Sequence, residues 1–139
     1  MTRELLGEVV ALAHQAGFIC LATANAEGMP HITAAGSLER GAQGELLIKE
    51  WFCPGTVANL QTNSAVAVAV WDLRRDVGYQ LLGHVDRIED LAVTDGYAPQ
   101  VESKHVLPQV EKQLVIHVEK ILDFTLAPHC DVPAEAAAD

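Results

Sequence analysis

The spacing of apolar residues predicts one amphipathic helix at the start of the chain, followed mostly by strands. Apolar side chains recur at helical spacing over residues 3–16, and Gly17 can end that helix. From Phe18 onward the apolar residues come in short runs separated by polar turns. The run at 65–71 alternates strictly, with valines on one face and alanines and Trp71 on the other. Both faces of this strand are apolar, so we expect both to be covered.

The strands are closely linked along the chain. The turn at residues 25–28 predicts that 29–38 returns antiparallel to 18–24 as a hairpin. Gly83 interrupts a long strand and indicates a bulge or a close backbone approach. The mixed segment 90–112, which contains one glycine and two prolines, predicts a helical excursion. The predicted strands are residues 18–24, 29–38, 45–49, 65–71, 79–89 and 114–126.

Six antiparallel strands with a few short flanking helices predict a mainly β fold, either a small barrel or a sandwich. The first two strands are linked too closely for a parallel crossover, which argues against a Rossmann-type sheet. A length of 139 residues suits one domain with its own core. We expect residues 1–128 to form that domain and residues 129–139, rich in alanine and acid, to be a flexible tail.

Charge and cysteine content narrow the class of protein. The formal net charge of −10 disfavours a nucleic-acid surface, which needs stripes of lysine and arginine. No apolar run approaches the ~20 residues of a membrane span, and the charged start does not resemble a secretory signal. Three widely spaced cysteines suggest neither a disulfide framework nor a zinc knuckle. We therefore expect a cytoplasmic protein that binds neither nucleic acid nor a membrane.

The segment 46–62 combines a strand, a tight turn and the start of a helix. Pro54 and Gly55 break regular structure, Thr56 is a good N-cap, and residues 57–62 can form a short helix. Free N–H groups at a helix start attract anions, above all phosphate, and the aromatic pair Trp51 and Phe52 could border a flat ring. The pattern suits a phosphorylated aromatic cofactor such as flavin mononucleotide (FMN). A capped helix that binds nothing has the same local pattern and is the more common case.

Several motifs in sequence order resemble the FMN-binding split-barrel family typified by pyridoxamine 5′-phosphate oxidase. The overall layout is especially similar to its small bacterial FMN-binding members, and it extends from about Leu5 to Leu126. The matching segments are Leu21-Ala22-Thr23, Gly28-Met29-Pro30-His31, Thr56-Val57-Ala58-Asn59-Leu60, Val66 to Asp72, Tyr79 to Val85 and Leu114 to Val118.

The resemblance implies a six-stranded Greek-key split barrel and a homodimer with two FMN sites at its interface. It places the phosphate by the turn from Lys49 to Asn59 and the flavin ring along the second and third strands. Many family members carry arginine or lysine at the helix start, where this chain has Pro54, Gly55 and Thr56. The residues implied to bind the cofactor are Thr33, Ala34, Ala35, Lys49, Glu50, Trp51, Phe52, Gly55, Thr56 and Asn59.

We interpret the chain as a flavin-dependent oxidoreductase or a small flavin electron carrier, with a small-molecule or redox-protein partner. No pattern predicts a catalytic residue or a metal site. The alternative is a split-barrel module for another planar ligand, haem or a deazaflavin, or for none. A weaker hypothesis brings Cys53 together with His129 and Cys130 at a metal or haem. Three strand histidines, His31, His84 and His117, are expected to be structural or solvent-facing.

Overall fold

Seven strands and two α-helices make up the described part of the protein. The structure is a computed structural model that describes residues 3–51, 54–94, 109–128 and 133–135. The helices are α1 (Arg3–Ala16) and α2 (Pro54–Thr62), and a short 3-10 turn covers Ala42–Gly44. The strands are β1 (Ile19–Ala24), β2 (Pro30–Ala35), β3 (Glu39–Arg40), β4 (Glu45–Trp51), β5 (Ala65–Asp72), β6 (Val77–Thr94) and β7 (Gln109–Asp123).

All seven strands belong to one antiparallel sheet in the order β2-β1-β5-β6-β7-β4-β3. The sheet curls, because Cα atoms of β2 lie within 8 Å of Cα atoms of β4 although the two strands do not pair. A curled sheet with a gap between two of its strands is a split barrel, which confirms the predicted mainly β class. The seventh strand is the two-residue β3, which forms where the sequence predicts only a turn.

The prediction of a helix within residues 90–112 is wrong at both ends of that segment. Residues 90–94 continue β6, residues 109–112 begin β7, and the two segments pair with each other. A pairing partner far along the chain overrides a weak local pattern. Residues 95–108 lie outside the described part. The prediction for Gly83 is confirmed, since the β6–β7 register shifts there and an added Cβ would overlap the carbonyl oxygen of His117.

The core lies between α1 and the inner face of the curled sheet. The apolar stripe of α1 is buried, as its spacing predicts, and Gly17 ends the helix at φ 83° with its N–H bonded to Ala13 O. In β5 the valines point inward to this core and the alanines point outward. Neither of the described helices is long and apolar enough to cross a membrane.

Part of the predicted tail lies against β7. Pro133 bridges to Leu122, and the N–H of Ala134 donates to Ile121 O at 2.8 Å. Residues 129–132 and 136–139 lie outside the described part, so the predicted domain boundary at residue 128 stays a prediction.

Candidate functional site

The gap between β2 and β4, which we call the split, is bordered by the strands that carry Thr33, Ala35 and Lys49. Among the described strands, β2 pairs with β1 alone, so its other edge faces the split. The whole of β4 pairs with β7 on one edge, whereas on its other edge only Leu46 and Leu47 pair with β3. The hydroxyl of Ser37, just after β2, donates across to the carbonyl of Lys49 at 3.4 Å. Two strand edges that do not pair with each other therefore border one cleft.

Helix α2 begins at Pro54, earlier than the sequence predicts. Proline is favoured in the first turn because its φ angle already suits a helix and the N–H that it lacks would be unpaired there. The prediction of Thr56 as the N-cap is therefore wrong, because Thr56 lies inside the first turn. Its side chain is fully buried, on the same side of the helix as Leu60. The exposed residues of the first turn are Pro54 and Gly55.

Two contacts orient α2 across the first hairpin. Gly55 lies beside His31 on β2, and the Asn59 amide donates to Thr23 Oγ1 on β1 at 3.0 Å. His31 and Thr23 are opposite each other in the β1–β2 register, about 5 Å apart. Gly55 and Asn59 are four residues apart on the helix, a rise of about 6 Å. The helix therefore runs across the strands from β2 towards β1, and its N-terminus points to the split.

His31 has a buried nitrogen without a partner at this place. Its Nδ1 is buried and, within the described residues, forms no hydrogen bond. Its Nε2 lies 3.7 Å from the point where a Cβ on Gly55 would be. Buried polar atoms usually have partners, and exceptions call for an explanation such as a ligand or an ordered water. The ring, the glycine and the positive end of the helix dipole together suit an anion.

The other predicted residues take different positions around the split. Thr33 is half-buried on the same side of β2 as His31, and Ala35 is buried. Ala34 points to the opposite, outward face, and Lys49 is exposed on β4. The structure describes the backbone of Glu50 and Trp51 but not their side chains, and Phe52 lies outside the described residues, as do Cys53, His129 and Cys130 of the weaker hypothesis.

Sequence reasoning missed His31 and Thr23 as members of this site. Both lie in segments that carry the family resemblance, but nothing local shows that α2 crosses them. Within the described residues, no group of three or more histidine, cysteine or acidic side chains is arranged to hold a metal ion.

A second polar cluster lies on the outward face of the sheet. Both ring nitrogens of His84 meet carboxylates, Nδ1 to Glu119 at 2.9 Å and Nε2 to Asp86 at 3.0 Å. The hydrogen bond to Glu119, and then that to Asp86, raises the pKa of His84. The ring of His117 lies 5.2 Å from that of His84. This cluster holds β6 and β7 together beside the bulge and is separate from the split.

The fold and the position of the site define a split-barrel protein with a cleft at the start of its second helix. The sequence model of the pyridoxamine 5′-phosphate oxidase family matches residues 5–122, and the chain belongs to this family. No curated protein matches the chain significantly.

Solved structures share the fold at low sequence identity. HupZ of Group A Streptococcus superposes with a TM-score of 0.63 at 20% identity, over 93% of this chain and 98% of HupZ. An FMN-binding protein of Nostoc punctiforme superposes with a TM-score of 0.64 at 10% identity, over 91% of this chain and 85% of the Nostoc chain. HutZ, the haem storage protein of Vibrio cholerae, superposes with a TM-score of 0.52 at 10% identity, over 84% of this chain and 92% of HutZ.

Proposed function

We propose that this protein binds FMN in the split and acts as a flavin-dependent oxidoreductase or a small flavin electron carrier. The observation that carries the proposal is the N-terminus of α2, which points to the split with the Nε2 atom of His31 beside its first turn. Membership of the family and the fold shared with an FMN-binding protein support the same ligand.

The residues around the split fit the two ends of FMN. The first turn of α2 would hold the phosphate through backbone N–H groups and the helix dipole. The edge of β2 at Thr33 and the end of β4 from Lys49 to Trp51 would border the ring with backbone hydrogen-bonding groups. Bound FMN supplies hydride or single-electron transfer, and the protein orients it and tunes its potential.

A spectrum and a titration test this proposal. We expect the purified protein to be yellow, or the flavin-free protein to bind FMN at one molecule per chain, measured by quenching of flavin fluorescence. Bound FMN should be reduced by a chemical reductant and reoxidised without loss from the protein. Absence of flavin from the purified protein, together with no binding in the titration, would refute the proposal.

We also infer a homodimer that forms through the outward face of the sheet. This face is apolar where β1, β2 and β5 lie side by side, and Ile32 on it is 69% exposed. It carries a groove of about 330 Å³ beside Trp71 and Phe124. The rings of these two residues pack edge to face, with their centroids 6.0 Å apart. Contiguous apolar surface of this kind usually marks an interaction site. The inferred partner is a second copy of the chain, as the family resemblance implies.

One substitution tests the dimer. Ala67 lies in the middle of this face, paired with Ala22 on one side and Leu82 on the other, and its side chain points outward. We expect the parent protein to sediment at twice the chain mass and Ala67→Arg to sediment as a monomer. Ala11→Arg, at an exposed position of α1, is the matched control and should stay dimeric. A parent protein that is monomeric at all concentrations would refute the inference.

The second candidate is a split barrel that binds haem or a deazaflavin, or no cofactor. The first turn of α2 carries no arginine or lysine, and the fold is also that of a haem storage protein. The absorbance spectrum separates the candidates, because haem has an intense Soret band whereas FMN and deazaflavins have their own distinct bands. Addition of haem and of FMN to separate flavin-free samples completes the comparison.

A further inference from the structure

We propose that His31 is the residue by which this chain recognises the phosphate of FMN, and that Gly55 keeps the Nε2 atom of His31 uncovered for it. The inference rests on the proposed function and adds to it a determinant of specificity on β2, outside the strand-to-helix turn. It explains how a chain without arginine or lysine at the helix start can prefer a phosphorylated flavin to an unphosphorylated one.

The hydrogen-bonding state of the ring follows from its surroundings. Nδ1 of His31 is buried, and within the described residues nothing bonds to it. An orphaned buried N–H group is rarer in proteins than a buried acceptor without a donor, which disfavours a hydrogen on that atom. The hydrogen of the ring therefore belongs on Nε2. Nε2 is thus a donor, and it is the ring atom nearest the start of α2.

Gly55 controls access to that donor. A Cβ at residue 55 would have His31 Nε2, at 3.7 Å, as its only neighbour within 4 Å among the described residues. That distance is an ordinary contact, and Gly55 does not have a positive φ, so neither packing nor backbone geometry requires glycine. Alanine would stabilise a helix better than glycine. What glycine provides here is an open path from the exposed first turn to the imidazole.

The backbone N–H donor at the start of α2 and the Nε2 donor of His31 lie side by side. The N–H group of Gly55, in the first helical turn, has no partner within the helix, and it points out of the N-terminus. The Nε2 donor of His31 lies beside this turn, next to Gly55. A phosphate group can accept from both, whereas the hydroxyl end of riboflavin carries no charge for the donors to meet. The site therefore discriminates by phosphate and not by the flavin ring.

The test compares FMN with riboflavin on the same variants. Flavin-free protein is titrated with each ligand, and the ratio of the two dissociation constants is the readout. For His31→Ala we expect FMN affinity to fall roughly tenfold or more while riboflavin affinity stays the same, because a hydrogen bond to a charged group is lost. His31→Gln, which can place an amide donor near the former Nε2, should restore most of the ratio.

Gly55→Ala separates recognition from stability. We expect this variant to lose FMN affinity by a similar factor, with a urea midpoint equal to or above that of the parent protein. His14→Ala, an exposed histidine on α1, and Ala58→Gly, an exposed position of α2, are the controls and should leave the ratio unchanged. NMR of protein labelled with ¹⁵N-histidine should show the hydrogen of His31 on Nε2.

Each outcome decides the inference. If the parent protein binds FMN and His31→Ala leaves the ratio of dissociation constants unchanged, or weakens both ligands equally, the inference is wrong and the proposed function stands. If Gly55→Ala binds FMN as the parent does, access to Nε2 does not matter and the inference is also wrong. If the parent binds neither flavin, both the inference and the proposed function are refuted.

Discussion

The hydrogen bond between Asn59 and Thr23 seats α2 on the first hairpin, and its removal should loosen the candidate site. The Asn59 amide donates to Thr23 Oγ1 at 3.0 Å, and Thr23 is 4% exposed. Asn59→Ala removes one hydrogen bond and deprives a buried hydroxyl of this donor, a loss of about 1–3 kcal/mol. Alanine is the better helix former by about 0.5 kcal/mol. We expect the free energy of unfolding to fall by about 0.5–2.5 kcal/mol.

A double-mutant cycle isolates this contact. Thr23→Val keeps the shape of the side chain and removes the hydroxyl, and the half-buried Asn59 amide can then turn to water. If the bond forms, the two substitutions should be non-additive by about 1 kcal/mol in urea unfolding of the flavin-free protein. Gln61→Ala, exposed on the same helix, is the control and should change stability by less than about 0.5 kcal/mol.

The same variants decide how Asn59 serves the cofactor. If Asn59 acts by holding α2 in place, Thr23→Val and Asn59→Ala should weaken FMN binding to a similar extent. If Asn59 binds FMN directly, as the family resemblance implies, only Asn59→Ala should weaken it. Strict additivity of the two substitutions in unfolding would refute the reasoning from the structure.

Three more substitutions probe parts of the fold outside the split. The Asp76 carboxylate accepts hydrogen bonds from Trp71 Nε1 and from two backbone N–H groups after β7. Asparagine tolerates the same φ of 51°, so Asp76→Asn changes only the carboxylate. This substitution should lower the free energy of unfolding in urea by about 1–3 kcal/mol. The hydrogen bond to Glu119 raises the pKa of His84 above its usual 6.5. The protonated ring therefore contributes its full stabilisation below pH 6.5, and this stabilisation is lost as the pH rises through the folded-state pKa. His84→Gln should abolish this part of the pH dependence of the urea midpoint. Gly83→Ala should abolish stable folding or shift the thermal midpoint strongly downward, because its Cβ would overlap a carbonyl oxygen of β7, and a midpoint near that of the parent would contradict this.

Features that depend on a few neighbouring residues were predictable from the sequence. The period of α1, the end of that helix at Gly17 and the two-faced alternation of β5 follow from local sequence patterns. The bulge at Gly83 followed from a glycine inside a strand pattern. The mainly β class followed from the number and spacing of such segments.

Features that depend on distant partners were not predictable in this way. Residues 90–94 and 109–112 form strands because each supplies the other with a hydrogen-bonding edge, and neither has a strong pattern of its own. The start of α2 was misplaced because a threonine cap and a proline in the first turn are both good local signals. Local chemistry does not decide between two acceptable signals of this kind.

For the candidate site, the sequence determined which segments carry hydrogen-bonding groups, and the tertiary structure decided which of them meet. The strand, turn and helix of residues 46–62 were predicted as one candidate anion-binding element, with a helix that binds nothing as the alternative. The role of His31 was not, because its neighbour Gly55 is 24 positions away along the chain. They come together because the sheet curls until β2 faces β4, and α2 then crosses the hairpin from β2 to β1. That curl results from the twist of all seven strands and from the packing of α1 against β5, β3 and β6, which no short segment encodes.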